Sequence, residues 1–399
     1  MNNENKLVPK LRFPDFKDNG EWELMQISNI LNAESSNLAL NKLELKQSGY
    51  AVYGADSIVG YIENFQHKEP YISIVKDGSG VGRLNLCDGE TSTLGTLSSL
   101  KSKDEKKYKV VWAFYLLNTI DFSSYVKGSG IPHIYFSDYK SENIGVPKTE
   151  EQQKIAACLS SLDEVIAGES QKLELLKEHK KGLLQNLFPQ EGETVPKVRF
   201  PEFNNDGEWK EYPIDSIGEV VTGGTPSKED KEYWGGDFVW VTAQDFKDKY
   251  ITDSVLKLTQ KGKEKSKIIP KDSVLVTCIA SIGLNGINKV ECATNQQINS
   301  VVCNSENHYE FVYYSITKNG NRLKNLAGQT AVPIINKSVF EKFIIHKPKS
   351  YQEQQKIATC LSSLDDLIAA QSQKIETLKL HKKGLLQGLF PPVKEDSNG

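Results

Sequence analysis

The sequence predicts an α+β chain: two β-rich domains and an antiparallel two-helix coiled coil, related by a pseudo-two-fold internal repeat. Three observations predict it. Residues 151–189 align without a gap with 353–391, about 202 positions on, and are identical at roughly three positions in four. Both copies carry a heptad seam. Between them lie short runs rich in Val, Ile, Tyr and Phe, punctuated by Gly and Asp, such as "SGYAVYGADSIVGYI" and "DSVLVTCIASIGLNGI".

A second echo pairs "VPKLRFPDFKDNGEWE" at 8–23 with "VPKVRFPEFNNDGEWK" at 195–210, at a shorter offset than the first. The segments between the echoes therefore differ in length. Boundaries follow: a lead-in motif at 1–23, a domain at 24–150, a helix at 151–194, the repeated motif at 195–210, a second domain at 211–350, a second helix at 351–391 and a tail at 392–399. Because the lead-in motif directly follows the first helix, the layout reads as a two-fold ring cut after Pro391.

The first seam runs Leu162, Ile166, Glu169, Leu173, Leu176, Lys180, Leu183 and Leu187; the second runs Leu364, Ile368, Gln371, Ile375, Leu378, Lys382, Leu385 and Leu389. A parallel pair in register would set Lys180 against Lys382. An antiparallel pair avoids this, and the register that sets Glu169 opposite Lys382 also sets Lys180 opposite Gln371. Ser160 and Ser161 before Asp163 and Glu164 read as a capping box, as do Ser362 and Ser363 before Asp365 and Asp366, so a short helix is expected before each long one. Pro189 and Pro391 stop the long helices. From 162 to 188 a helix spans roughly 40 Å, close to one turn of B-DNA at about 34 Å.

Hydrophobic residues at 38% and charged residues at 25% are ordinary for a soluble globular protein. A net charge of -3 announces no nucleic-acid binding by bulk charge, so any phosphate contact must come from local patches or partner subunits. No apolar run spans a bilayer and the first ten residues lack a signal core, which implies no membrane and a cytoplasmic address. The six cysteines form no CxxC pair and read as buried, reduced thiols, and no metal site is expected.

The motifs "GGTPS" with "YWGGDFVWVTAQD", "ASIGLNG" with "ATNQQINS", and the twice-written "EQQKIA…KKGLLQ…LFP" resemble the specificity subunits of type I restriction-modification enzymes, over nearly the whole chain from Val8. The first domain departs from "GGTPS" and has "YAVYGADSIVGYI" instead. The resemblance implies two target recognition domains on double-stranded DNA, each reading one half of an asymmetric bipartite site, with the coiled coil setting the unread spacer. It also implies two methyltransferase subunits acting on adenine and two restriction/translocase subunits, with S-adenosylmethionine, ATP and Mg on those partners and none on this chain.

The residues agree that the chain is not itself an enzyme. It has no "NPPY"-type loop and no GxxxxGK(S/T) phosphate loop, and "DGSGVGR" lacks a cofactor site's strand-helix context and acidic ribose ligand. Its six histidines are scattered, so no catalytic residue is assigned. Base readout calls for side chains with paired donors and acceptors. The candidates are Tyr53, Ser79, Arg83, Lys127, Ser129 and His133 in the first domain. In the second they are Thr225, Ser227, Lys228, Thr242, Gln244, Asn285, Gln296, Gln297 and Gln329. Trp234 and Trp240 read as core. Gly182 and Gly384 sit in mid-helix beside Lys181 and Lys383, where a partner's backbone would pack closely; these four are the candidate partner-binding residues. A two-headed protein-binding scaffold without DNA readout is the competing function.

Overall fold

The computed structural model describes residues 7–327 and 333–393. The chain divides into two units, Met1–Ser170 with Gln373–Gly399, and Gln171–Ser372. Helix α1 (Val110–Leu117) belongs to the first and α3 (Tyr309–Lys318) to the second. The long helices α2 (Thr149–Asn186) and α4 (Tyr351–Leu389) each give one half to each unit. Among the described residues no helix is long and apolar enough to cross a membrane.

In unit 1, β1 (Glu23–Gln26) pairs with β9 (Asn143–Val146). A four-stranded antiparallel sheet follows the order β2 (Leu31–Ser35), β8 (Leu97–Ser102), β5 (Tyr71–Val75), β6 (Leu84–Cys87). A smaller sheet has β3 (Tyr50–Tyr53) between β4 (Ile58–Ile62) and the parallel β7 (Ser92–Thr93). Strand β5, "YISIV", is buried at every position, its one polar side chain, Ser73, meeting the Cys87 thiol at 3.4 Å. Trp112 and Leu116 of α1 share a core with Ile72 and Ile74, with Ile155 and Leu159 of α2, and with Leu389 and Phe390 at the end of α4. Each such side chain contributes about 1.5–3 kcal/mol by burial.

Unit 2 repeats the order. Strand β10 (Lys210–Pro213) pairs with β19 (Ile344–Lys347), and the large sheet runs β11 (Gly218–Thr222), β18 (Ile298–Cys303), β15 (Val274–Thr277), β16 (Asn285–Asn288), with β13 (Tyr250–Ile251) added at the end. The small sheet has β12 (Trp234–Val241) between β14 (Leu256–Leu258) and β17 (Ala293–Thr294). Trp209, Phe311 and Phe188 meet at ring distances of 5.3–5.8 Å in a core that also takes Ile357 and Leu361 of α4.

The long helices are unbroken, contrary to the capping reading of the serine pairs. Three of the four serines have other partners: Ser160 lies 3.2 Å from the Tyr115 hydroxyl, Ser362 accepts from Lys249 at 2.5 Å, and Ser363 bonds back to the Thr359 carbonyl at 2.9 Å. With their oxygens so engaged, none ends a helix. In both helices the seam positions are buried or half-buried and their neighbours mostly exposed. The orientation is antiparallel within unit 1, where Lys382 reaches Asp163 at 2.5 Å and Lys374 reaches Glu169. The register differs from the one the seam charges suggest by about one heptad. Lys382 takes Asp163 rather than Glu169, and in unit 2 Lys180 takes Asp365 rather than Gln371.

Candidate functional site

The repeated motifs build the same clamp in each unit. Arg12 forms a two-pronged ion pair with Glu151 at 2.8 and 2.8 Å and donates to the Gly20 carbonyl at 2.5 Å. Arg199 does the same with Glu353, again at 2.8 and 2.8 Å, and with the Gly207 carbonyl at 2.7 Å. Trp209 adds an indole N–H bond to Glu353 at 3.2 Å. The carboxylates hold both guanidiniums above their ordinary pKa. The next residue bonds the start of the helix before it: Gln152 accepts from the Lys109 N–H, just ahead of α1, at 2.9 Å, and Gln354 accepts from the His308 N–H, just ahead of α3, at 3.0 Å. Lead-in motif and "EQQ" are thus two halves of one joint. Sequence reasoning found both motifs without pairing them; an arginine in one and a glutamate in the other, each written twice at matching places, were the available signal.

A second joint ties each unit to the long helices. The Tyr115 hydroxyl donates to Asp163 at 2.7 Å, Asp163 accepts from Lys382, and that ammonium sits 5.3 Å from the Tyr115 ring centre. In unit 2, Tyr314 donates to Asp365 at 2.5 Å, and Lys180 pairs with Asp365 and lies 5.8 Å from the Tyr314 ring. Burial first, and the neighbouring carboxylate in addition, push both phenols well above their usual range, so they stay protonated donors.

In unit 1 two loops bring five candidates together. The turn between β5 and β6 carries exposed Ser79 and Arg83, and the segment after α1 carries exposed Lys127 and Ser129 and half-buried His133. The Gly78 N–H bonds to the Pro132 carbonyl at 2.9 Å, the Ile134 N–H to the Lys76 carbonyl at 2.8 Å, and Lys127 and His133 exchange backbone bonds. Arg83 is ion-paired with Asp56, which stands near Tyr53 at the end of β3. Lys127 pairs with Asp138 at 2.7 Å with its own side chain largely exposed.

In unit 2 the "GGTPS" and "ATNQQ" loops meet. The Gly224 N–H bonds to the Thr294 carbonyl at 2.8 Å, the Asn295 N–H to the Val241 carbonyl at 3.1 Å, and Thr225 donates to Gln296. A Cβ on Gly223 would lie 2.1 Å from Thr294 Oγ1, so only glycine permits this approach. Thr225, Ser227, Lys228, Gln244 and Gln296 are exposed. Three other candidates serve the fold: Thr242 and Asp245 close a short helical turn, Asn285 donates to the Tyr313 carbonyl and Thr317 at 2.9 Å each, and Gln297 accepts from Asn295 at 3.2 Å. Gln329 lies outside the described residues. Trp240 is buried, and its edge-on contact with Trp234 at 4.8 Å belongs to the small sheet.

Lys181, Lys383 and Gly384 are exposed and Gly182 is half-buried; a Cβ on either glycine would meet open space. Among the described residues no three His, Cys, Asp or Glu side chains gather as a metal cage needs, and the six cysteines are free thiols. Burial pushes Cys278 up to about 11 and Cys292 to about 12.

Comparison with known proteins bears on both units. The model of the type I restriction modification DNA specificity domain matches residues 19–178 and 206–380. The MjaIX specificity subunit of Methanocaldococcus jannaschii is 38% identical over 179 residues, 43% of this chain and 41% of that protein. The HindI specificity subunit of Haemophilus influenzae is 34% identical over 160 residues, 38% and 35% of the two chains. Each match thus spans less than half of the relative's length. The MjaVIII specificity subunit of M. jannaschii aligns over 95% of this chain and 93% of its own length at 22% identity. The type I restriction-modification S subunit from M. genitalium superposes with a TM-score of 0.68 at 18% identity, covering 97% of this chain and 100% of the other, and shares its fold. With its duplicated domain matched twice and its fold shared end to end, the chain belongs to the type I restriction modification DNA specificity family.

Proposed function

We propose that the chain is the DNA-reading subunit of a type I restriction-modification system, in which each unit reads one half of an asymmetric bipartite target. The observation that carries this is the repeat itself. One strand order occurs twice, yet the exposed loop residues differ: Ser79, Arg83 and Lys127 in unit 1 against Thr225, Lys228 and Gln296 in unit 2. Arginine suits guanine, glutamine suits adenine, and hydroxyls suit either. Catalysis then belongs to partners: two methyltransferase subunits using S-adenosylmethionine, and two restriction/translocase subunits using ATP and Mg. The free helix faces at Lys181–Gly182 and Lys383–Gly384 are where the methyltransferase would dock.

The test exchanges residues 24–147 for the corresponding segment of a relative, co-expresses the chimera with its methyltransferase, and maps methylated adenines across a genome. One half-site changes and the other stays. Change in both halves, or in neither, overturns the assignment of one half to each unit. The net charge of -3 favours a second reading, a two-headed scaffold without DNA readout. A complex that assembles with the methyltransferase yet shifts no duplex in a gel would establish that reading instead.

A further inference from the structure

The two units share a strand order but differ at one sheet edge. In unit 2, β13 lies parallel along β16, with the Ile287 N–H bonded to the Lys249 carbonyl at 2.8 Å and the Lys289 N–H to the Ile251 carbonyl at 2.9 Å. The strand of unit 1 in the same place is β6. Ile72 faces Leu86 on one side and Leu100 on the other, as Val274 faces Ile287 and Val301, so Leu86 stands where Ile287 does. Among the described residues β6 pairs with β5 alone. Because the Val75 N–H bonds to Arg83 O, the alternation of an antiparallel ladder turns the backbone groups of Leu84 and Leu86 outward. Chain length explains the difference. Unit 2 passes from β12 to β14 through residues 242–255, which carry β13, whereas unit 1 passes from β3 to β4 through 54–57, a turn too short to reach the edge.

Beside the bare edge is an open cavity of about 480 Å³ bounded by the Phe114 and Tyr115 rings and by Ser160, Asp163 and Glu164 of α2. Tyr53 and Asp56 also line it. The matching place in unit 2 holds the Lys249 ammonium, 3.0 Å from the Tyr314 hydroxyl, 2.5 Å from Ser362 Oγ, 3.4 Å from Glu310 and 4.9 Å from the Tyr314 ring centre. Tyr115 and Tyr314 are equivalent, each bonded to a serine and an aspartate of a long helix. Unit 1 keeps Tyr115, Ser160 and Asp163 of this site and has no counterpart of Lys249; Val111 stands where unit 2 has Glu310, and the carboxylate at the rim is instead the exposed Glu164.

We infer that the β6 edge of unit 1 accepts an extended, lysine-bearing segment of a partner protein as an added parallel strand, its ammonium entering the cavity against Tyr115. The outward backbone groups select an extended peptide. An aromatic face beside a hydroxyl and the Glu164 carboxylate selects a cation; Asp56 and Asp163 are paired with Arg83 and Lys382, which leaves Glu164 as the charge the incoming ammonium meets. The edge also restricts the peptide beyond its lysine. A Cβ on Gly286 would lie 2.9 Å from Ile251 Cδ1, and unit 1 has Asn85 at that position, so the residue two places after the lysine must be small.

The probe is a fluorescein-labelled synthetic peptide of residues 247–254 with Ile251→Ala, titrated into the full chain by anisotropy, with amide exchange read in parallel. Saturable binding is expected, with slowed exchange at Leu86 and Asp88. Affinity should fall by about tenfold or more when the peptide carries Lys249→Glu, which cannot affect folding of the receptor, and likewise when the protein carries Glu164→Lys at its exposed helix position. No saturable binding, binding indifferent to both charge changes, protection confined to another strand, or displacement of the peptide by duplex DNA would each overturn the proposal.

Discussion

Arg199 and Glu353 have side chains 7% and 0% exposed, so each neutralises a charge that would otherwise be stranded in the core of unit 2. Breaking a buried pair from one side costs about 3–5 kcal/mol. Glu353→Ala should therefore lower the free energy of urea unfolding by that amount, and Glu151→Ala should do the same for unit 1. His67 is a second residue whose environment decides its behaviour. Burial first, and Lys101 in addition, depress it to about 4, and its ring nitrogen meets Ser99 at 2.9 Å. It is thus neutral in the fold, while the unfolded chain takes up a proton near pH 6.5. The unfolded state binds more protons between those values, so stability falls as pH drops from about 6.5 to about 4, by at most about 3 kcal/mol, and levels off below. Denaturation midpoints of wild type and His67→Gln across that window should converge at low pH.

At the scale of the element, the two tyrosine-aspartate-lysine joints fix the slide of one helix along the other. Asp163→Lys should destabilise unit 1, and adding Lys382→Asp should recover about 0.5–3 kcal/mol in a double-mutant cycle; absence of recovery would mean the joint contributes no pairing energy. The same joints mark the boundary of what a sequence pattern can convey. Heptad spacing reveals a seam because burial recurs with the turn of the helix, and the opposition of Lys180 and Lys382 excludes a parallel arrangement. A seam matches itself again after every seven residues, however, so the slide is decided by residues beside it. Asp163 and Asp365 follow a seam leucine by one position, and each is oriented by a tyrosine about 50 residues away. The capping motif failed for the same reason: Ser160 and Ser362 carry the right side chains, and the third element packed against them determines their bonds. Among the loop candidates, exposed glycine-rich turns were legible as loops. That Asn285 anchors α3 while Gln296 stays exposed depends on which way a strand end faces, and a local pattern does not carry that.

For the whole molecule, duplication supplies both sameness and difference. The sheet order, the arginine clamp and the tyrosine joint recur, so a domain exchange cut at 24–147 leaves the Arg12–Glu151 clamp with its native partners, while the incoming segment must supply the counterparts of Tyr115, of the Lys109 N–H that Gln152 accepts from, and of Trp112 and Leu116 in the core. Deleting seven residues from α2 and the facing seven from α4 preserves both seams. In the proposed function this shortens the unread spacer in the methylated target while leaving each half-site intact, and genome-wide methylation mapping reads the result directly.

Unit 2 is one uninterrupted stretch, whereas unit 1 is assembled from two stretches lying on either side of it. Leu389 and Phe390 fill the core around Trp22 and Trp112. A ribosome emits residues 171–372 before it emits those two. The later-encoded unit can therefore close first, while the earlier-encoded one waits, its core open, for a helix still to be translated, so that an arrested or prematurely terminated chain would present one finished unit and one exposed to chaperones and proteases.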